Sequence, residues 1–178
     1  MTGAAATGEG RVLWIVGRPA SGKTTLARGL VALLRERGVA TLWLDSDELR
    51  RVLTPDATYD EAERDRFYAA LAYLARLGAE GGVTVVVSAT GHKRRYRDDL
   101  RRVVPRFAEI WLTCEREALH ERDVKGLYER ALAHEIDNLP GVGAPFEPPT
   151  AAELVLDTTR LRPEEALAAL VRWLDAAP

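Results

Sequence analysis

The chain has 178 residues, 47% of them hydrophobic and 29% charged, with a formal net charge of −2. This length is one domain of ordinary size with room for a substantial core, and the charge balance leaves no overall basic field for nucleic acid. A single cysteine, Cys114, excludes an internal disulfide framework and fits a reducing cytoplasm, while no apolar run approaches the roughly 18 residues of a membrane span.

Residues 1–10 combine neither a basic start nor a long apolar middle, so they read as a loose tail rather than a signal peptide, leaving 11–178 as a single domain. The first element is a predicted strand over 11–16, Arg-Val-Leu-Trp-Ile-Val. It runs straight into Gly17-Arg18-Pro19-Ala20-Ser21-Gly22-Lys23-Thr24, and helix-forming residues follow to 37. A Gly-rich turn that leaves a buried strand and opens a helix aims backbone N–H groups and the helix dipole at one point, which suits a polyphosphate. Gly17, Ala20, Ser21, Gly22, Lys23, Thr24 and Thr25 are therefore assigned to a nucleoside triphosphate. Lys23 is expected on the β- and γ-phosphates, and the Thr24 hydroxyl on Mg²⁺.

A second strand is predicted over 40–45, closing on Asp45-Ser46-Asp47-Glu48-Leu49-Arg50. Ligands of open parallel sheets sit outside the carboxyl ends of strands. With this strand expected close to the first, Asp47 is the candidate base for an acceptor hydroxyl, Asp45 orients Mg²⁺ through water, and Arg50 holds an anionic acceptor. The competing reading is a plain helix start with Asp47 as N-cap. Next come a helix over 60–79 and a strand over 83–88. That strand ends in Ser88-Ala89-Thr90 without the usual Walker B carboxylate, and no Asn-Lys-x-Asp signature follows, which disfavours a GTPase switch or an ATPase motor and favours a small-molecule kinase. His92, Lys93, Arg94 and Arg95 form a basic cluster, read equally as an anion contact or as a solvated loop.

A helix over 95–104, a strand over 107–113 and a helix over 115–122 continue the alternation, with Cys114 read as a core thiol. Segment 123–150 is rich in Gly and Pro, and a connection that long in a compact domain is expected to be a lid. A strand over 153–156 and a helix over 163–174 complete the pattern, with Pro163 as a favourable first residue. Alternating strands and helices imply a three-layer α/β P-loop fold, a five-stranded parallel sheet with helices on both faces and a lid.

The P-loop, Leu44-Asp-Ser-Asp-Glu-Leu-Arg50, Arg122-Asp-Val-Lys-Gly-Leu-Tyr-Glu-Arg-Ala131 and the Pro145-Phe-Glu-Pro-Pro149 stretch together resemble adenylyl-sulfate (APS) kinase. The resemblance implies a P-loop kinase using ATP and Mg²⁺ to phosphorylate the 3′-hydroxyl of adenosine 5′-phosphosulfate, as a homodimer in sulfate assimilation. It places Arg122 and Thr158 on ATP, Arg50 and Arg64 on the sulfonucleotide, Tyr59 against its adenine, Arg95 after the third strand and Lys125 in the lid over the phosphates. Departures gather on the acceptor side. The family's Asp-Gly-Asp-Asn reads Asp45-Ser46-Asp47-Glu48, an acceptor-binding Asn falls at Phe67, Phe-Ile-Ser-Pro-Tyr-Arg becomes Thr90-Gly-His-Lys-Arg-Arg95, and the lid's stacking aromatic is Leu139. Two alternatives therefore stand beside APS phosphorylation: a kinase for another nucleotide or anionic hydroxyl compound, and a nucleotide-binding regulatory protein without turnover.

Overall fold

The structure is a computed structural model that describes residues 10–123, 126–133 and 135–176. Its strands are β1 (Arg11–Val16), β2 (Thr41–Asp45), β3 (Thr84–Ser88), β4 (Phe107–Thr113) and β5 (Leu154–Asp157). They form one sheet in the order β2-β3-β1-β4-β5, every neighbouring pair parallel. The helices are α1 (Lys23–Glu36), α2 (Ser46–Leu53), α3 (Glu61–Glu80), α4 (Arg94–Val103), α5 (Arg116–Glu121), α6 (Leu127–Leu132) and α7 (Pro163–Ala176).

The unbroken apolar run of β1 follows from its central place, buried on both faces. Because strand side chains alternate, Val12, Trp14 and Val16 pack with Phe67, Tyr68 and Leu71 of α3 and with Tyr96 and Leu100 of α4. Leu13 and Ile15 point the other way, onto Leu26, Leu30 and Leu34 of α1 and Leu170 of α7. Burying one leucine-sized side chain contributes about 1.5–3 kcal/mol, so the two apolar layers fix the sheet and with it the loops at its carboxyl edge.

Two predicted features are refined. The second strand, expected close to the first, stands one strand away from it, with β3 between β1 and β2. Residues 46–53 form the helix that the competing reading offered, but its N-cap is Asp45, not Asp47: the Asp45 Oδ1 accepts from the N–H groups of Asp47 and Glu48 at 2.9 and 3.2 Å. A third, smaller apolar cluster joins the 123–150 segment to α5, where Tyr128, Ala131 and Leu139 of the segment are buried with Leu119 of α5, and Ala20 of the P-loop packs against them. The segment thus carries its own short helix, α6, and shares a small core with α5.

Candidate active site

The P-loop leaves β1 at Gly17, and the close approach there needs glycine: a Cβ would stand 2.5 Å from the Ser21 Oγ and 2.9 Å from the Leu112 carbonyl. Gly22, with φ 93°, is the N-cap of α1, and no side chain caps that helix. The first-turn N–H groups are therefore left to a ligand. The Ser21 Oγ is buried with no hydrogen-bond partner among the described residues, an orphaned polar atom within the loop. From behind, the Thr158 Oγ1 lies 3.1 Å from the Ser21 carbonyl and 3.0 Å from that of Thr113. The Lys23 Nζ donates to the Arg18 carbonyl at 2.8 Å.

Asp45 is the hinge between this loop and β2. It is 6% exposed, and its Oδ2 accepts from the Thr24 Oγ1 at 3.0 Å and from the Ser88 Oγ at 2.8 Å. Ser88 is paired with Asp45 across the β2–β3 ladder, and the Trp43 Nε1 donates to its hydroxyl at 2.9 Å. This explains the absent Walker B acid. The small Ser88 side chain lets the carboxylate of the neighbouring strand reach Thr24, where a second acid on β3 would have met it with like charge.

A cleft of about 1010 Å³ runs from the P-loop, past Asp45 and Asp47, to Arg50, Tyr59 and Arg64. Its far wall is built by α2, α3 and the loop between them. The Arg50 guanidinium is held between aromatic faces, 5.0 Å from the Tyr59 ring and 3.8 Å from that of Phe67, and pairs with the Glu63 carboxylate at 2.6 Å. Arg64, 8% exposed, donates through Nε to the Tyr59 carbonyl at 2.8 Å and through Nη2 to the Asn138 carbonyl at 2.6 Å. Burial lowers its pKa below the usual guanidinium value. Among the described residues no carboxylate pairs with it, which leaves a buried cation at the end of the cleft. Tyr59 has φ 57° and is nevertheless pinned, its N–H donating to Glu63 at 3.2 Å and its carbonyl accepting from the Asn138 Nδ2 at 3.0 Å. Backbone held in the left-handed region by three side chains is the kind of strain that collects at ligand sites.

Most of the sequence-derived candidates meet in this cleft. Ala20, Ser21, Gly22, Lys23, Thr24 and Thr25 line the nucleotide end together with Arg122 and Thr158; Asp45, Asp47, Arg50, Tyr59, Arg64 and Leu139 line the rest. Three candidates stand differently. Phe67 is 2% exposed and packs in the core behind Arg50, so its ring does not face the cleft. Arg95 points away, its guanidinium paired with Asp65, and Lys93 is paired with Glu61 and Asp65. Two carboxylates on α3 thereby neutralise the basic cluster and draw it out of the site. Lys125 lies outside the described residues. Cys114 is half-buried, 3.7 Å from the Arg122 Nη1 and against the lid's apolar cluster. Reasoning from sequence missed Glu63, Tyr68, Ser88 and Asn138, none of which stands in a recognisable motif; for Glu63 the spacing Asp60-x-x-Glu63 at the start of α3 was an available signal.

The chain matches a family model described as adenylylsulphate kinase over residues 9–157. A probable adenylyl-sulfate kinase of Aeropyrum pernix is 39% identical over 154 residues, covering 84% of this chain and 84% of that protein. A probable bifunctional SAT/APS kinase of Sorangium cellulosum is also 39% identical; the alignment takes in 94% of this chain but 29% of that longer protein. Among solved structures, the Mycobacterium tuberculosis APS kinase in complex with AMPPNP and APS superposes with a TM-score of 0.87 at 28% identity, covering 94% of this chain and 99% of that one.

Proposed function

The chain belongs to the adenylylsulphate kinase family, and from that premise we propose that it transfers the γ-phosphoryl group of ATP to the 3′-hydroxyl of adenosine 5′-phosphosulfate, releasing ADP and PAPS. The observation that carries this reading is the continuity of one cleft, from a P-loop at one end to Arg50, Tyr59 and Arg64 at the other. In this reading a donor and an acceptor nucleotide lie end to end in it, with Asp47 between them.

In this reading the α1 N-terminus and Lys23 bind the triphosphate, and Lys23 leaves the Arg18 carbonyl to meet the β- and γ-oxygens. Thr24 and Asp45 suit Mg²⁺, which binds proteins through one or two groups and takes its other ligands from phosphate and water. A bound Mg²⁺ supplies charge that offsets the developing negative charge on the transferring group. Asp47 accepts the proton of the attacking 3′-hydroxyl, the Tyr59 ring offers a π face to a purine, and Arg64 supplies a counter-charge to the acceptor's anion. Closure of the 123–150 segment with Lys125 excludes water, which otherwise competes as phosphoryl acceptor. The family likeness supports a homodimer, and the lone cysteine a cytoplasmic setting.

Release of ADP in the presence of ATP, Mg²⁺ and APS tests the assignment. Turnover should depend on APS, with PAPS formed in equal amount to ADP. ATP hydrolysis indifferent to APS would overturn it. A second reading keeps the chemistry and changes the acceptor to another anionic hydroxyl compound. It is favoured by the Arg50–Glu63 pair and the outward Arg95, which leave fewer uncompensated cations at the acceptor end than three arginines suggest. The non-catalytic reading is disfavoured because Lys23, Thr24 and Asp47 all line the cleft.

A further inference from the structure

Tyr68 belongs to no motif, yet it is the most tightly specified side chain at the acceptor end. It follows Arg64 by one turn of α3, so both project from the same helix face. Its ring stacks on Tyr96 at 4.3 Å and 15°, lies near-parallel to Trp14 at 6.4 Å, and meets Phe67 edge-on at 5.4 Å. The phenol is 5% exposed and still lines the cleft with Asp47, Arg50 and Arg64.

The hydroxyl is aimed by its one partner. The Gly91 N–H donates to the Tyr68 oxygen at 2.9 Å. Gly91 holds φ 50°, and a Cβ there would stand 3.1 Å from the Trp14 ring, so only glycine brings that N–H to the phenol without strain. A hydroxyl has one proton to give. Among the described residues no acceptor stands within hydrogen-bond reach of it, although a buried donor left unmade is costly. Burial raises the phenol's pKa, with the Gly91 bond and the charges of Arg50 and Arg64 opposing, so the proton stays on at neutral pH. An immobilised neutral donor beside a buried guanidinium that no carboxylate pairs with among the described residues makes a site for an oxyanion.

We propose that Tyr68 is a specificity-determining residue of the acceptor site, its hydroxyl donating a hydrogen bond to an oxygen of the acceptor's anionic group alongside Arg64. The assignment rests on the acceptor reading above and names within it a contact that no family motif supplies. An acceptor carrying a sulfate or phosphate near the transferred hydroxyl is held by one charge and one neutral donor. A neutral acceptor brings no counter-charge to Arg64 and no charged oxygen to the Tyr68 proton.

The test uses Tyr68→Phe, which keeps the stacked ring and removes only the donor. With APS as acceptor, KM for APS should rise about tenfold while KM for ATP stays within twofold, the loss expected when one hydrogen bond to a charged group goes. Unchanged KM for APS, or equal losses for both substrates, overturns the assignment. A parallel arm separates it from the choice of acceptor: inorganic sulfate is titrated into wild type and Tyr68→Phe with the P-loop filled by a non-hydrolysable ATP analogue. Weaker sulfate binding by several-fold in the variant supports the assignment even if wild type leaves APS untouched, an outcome that would remove APS as substrate alone. Equal sulfate affinity, or none in wild type, counts against Tyr68 itself.

Discussion

Lys23 is held on the Arg18 carbonyl at 2.8 Å, a contact any donor of its length could make, so its charge and not its hydrogen bond sets it apart. Lys23→Ala should lower kcat by about 10³-fold, the usual loss when one preorganised contact to a transition-state charge is removed. A steady-state rate within tenfold of wild type would take Lys23 out of the transfer step. Asp47→Asn separates binding from chemistry: ATP affinity should stay near wild type while kcat falls about 10²–10⁴-fold, the range for a lost general base. Lost ATP affinity at unchanged turnover would contradict the role. His92 gives a prediction in pH. Burial first, then Arg64 and Lys93, push its imidazole from 6.5 down to about 4, and its Nδ1 is buried without a hydrogen-bond partner among the described residues. The unfolded chain therefore takes up a proton below pH 6.5 that the folded chain refuses until about pH 4, and stability falls as pH drops through that window. Asp65, held at about 2 first by the Tyr96 hydroxyl bond, has its own stabilisation present above 3.8 and lost below, so the two windows separate. His92→Phe should flatten the Tm profile between pH 6.5 and 4; an unchanged slope there would assign it to other groups.

At the scale of elements, one contact ties the lid segment to the acceptor wall. The Asn138 Nδ2 donates to the Tyr59 carbonyl at 3.0 Å, and the Asn138 carbonyl accepts from Arg64 at 2.6 Å. Asn138→Ala removes the first bond and spares the second, which is backbone. KM for the acceptor should rise about three- to tenfold, the equivalent of one neutral hydrogen bond, with KM for ATP unmoved. An effect on ATP alone would mean that the segment serves only the donor. The elements themselves were unevenly legible. All five strands fall within one residue of their sequence-derived bounds; β1 and β3 are buried along nearly their whole length and leave a continuous apolar signature, whereas β2 and β5 are partly exposed. The helix α2 left no such trace: none of its residues is buried, so it shows no apolar stripe, and its start is fixed by the Asp45 carboxylate. The helix α6 has six residues and packs on the small core shared with α5, too short for a periodicity to emerge. In the site, the P-loop was readable because its chemistry is local in sequence. The redirection of Arg95 to Asp65, 30 residues away, and the joining of Thr24, Asp45 and Ser88 depend on strand order, which pattern alone does not convey.

Across the whole molecule, the sheet face beneath α3 and α4 is apolar except for one buried ion pair. Arg97 is fully buried and Glu109 3% exposed, joined at 2.5 Å. Glu109 sits on β4 opposite Trp14, and its other oxygen takes Arg101 at 3.0 Å. Arg97 also donates to the Gly91 carbonyl and, at 2.8 Å, to that of Glu147. One guanidinium thus joins α4, the central sheet, the loop that aims Gly91 at Tyr68, and the chain returning from the lid. Two charges in an apolar layer gain little over apolar residues of the same volume, but one charge left alone costs about 3–5 kcal/mol. Arg97→Met should therefore destabilise by about 3 kcal/mol, at the low end because Arg101 still faces Glu109. Arg97→Met/Glu109→Gln should regain part of that loss. Amide exchange should quicken at Gly91 and at 146–148 in both variants, since neither restores the carbonyl bonds. Urea unfolding of the two variants decides the point: a single variant that loses under about 1 kcal/mol, or a double variant weaker than the single, would mean that Arg97 is held by its carbonyls and that the pair itself organises nothing.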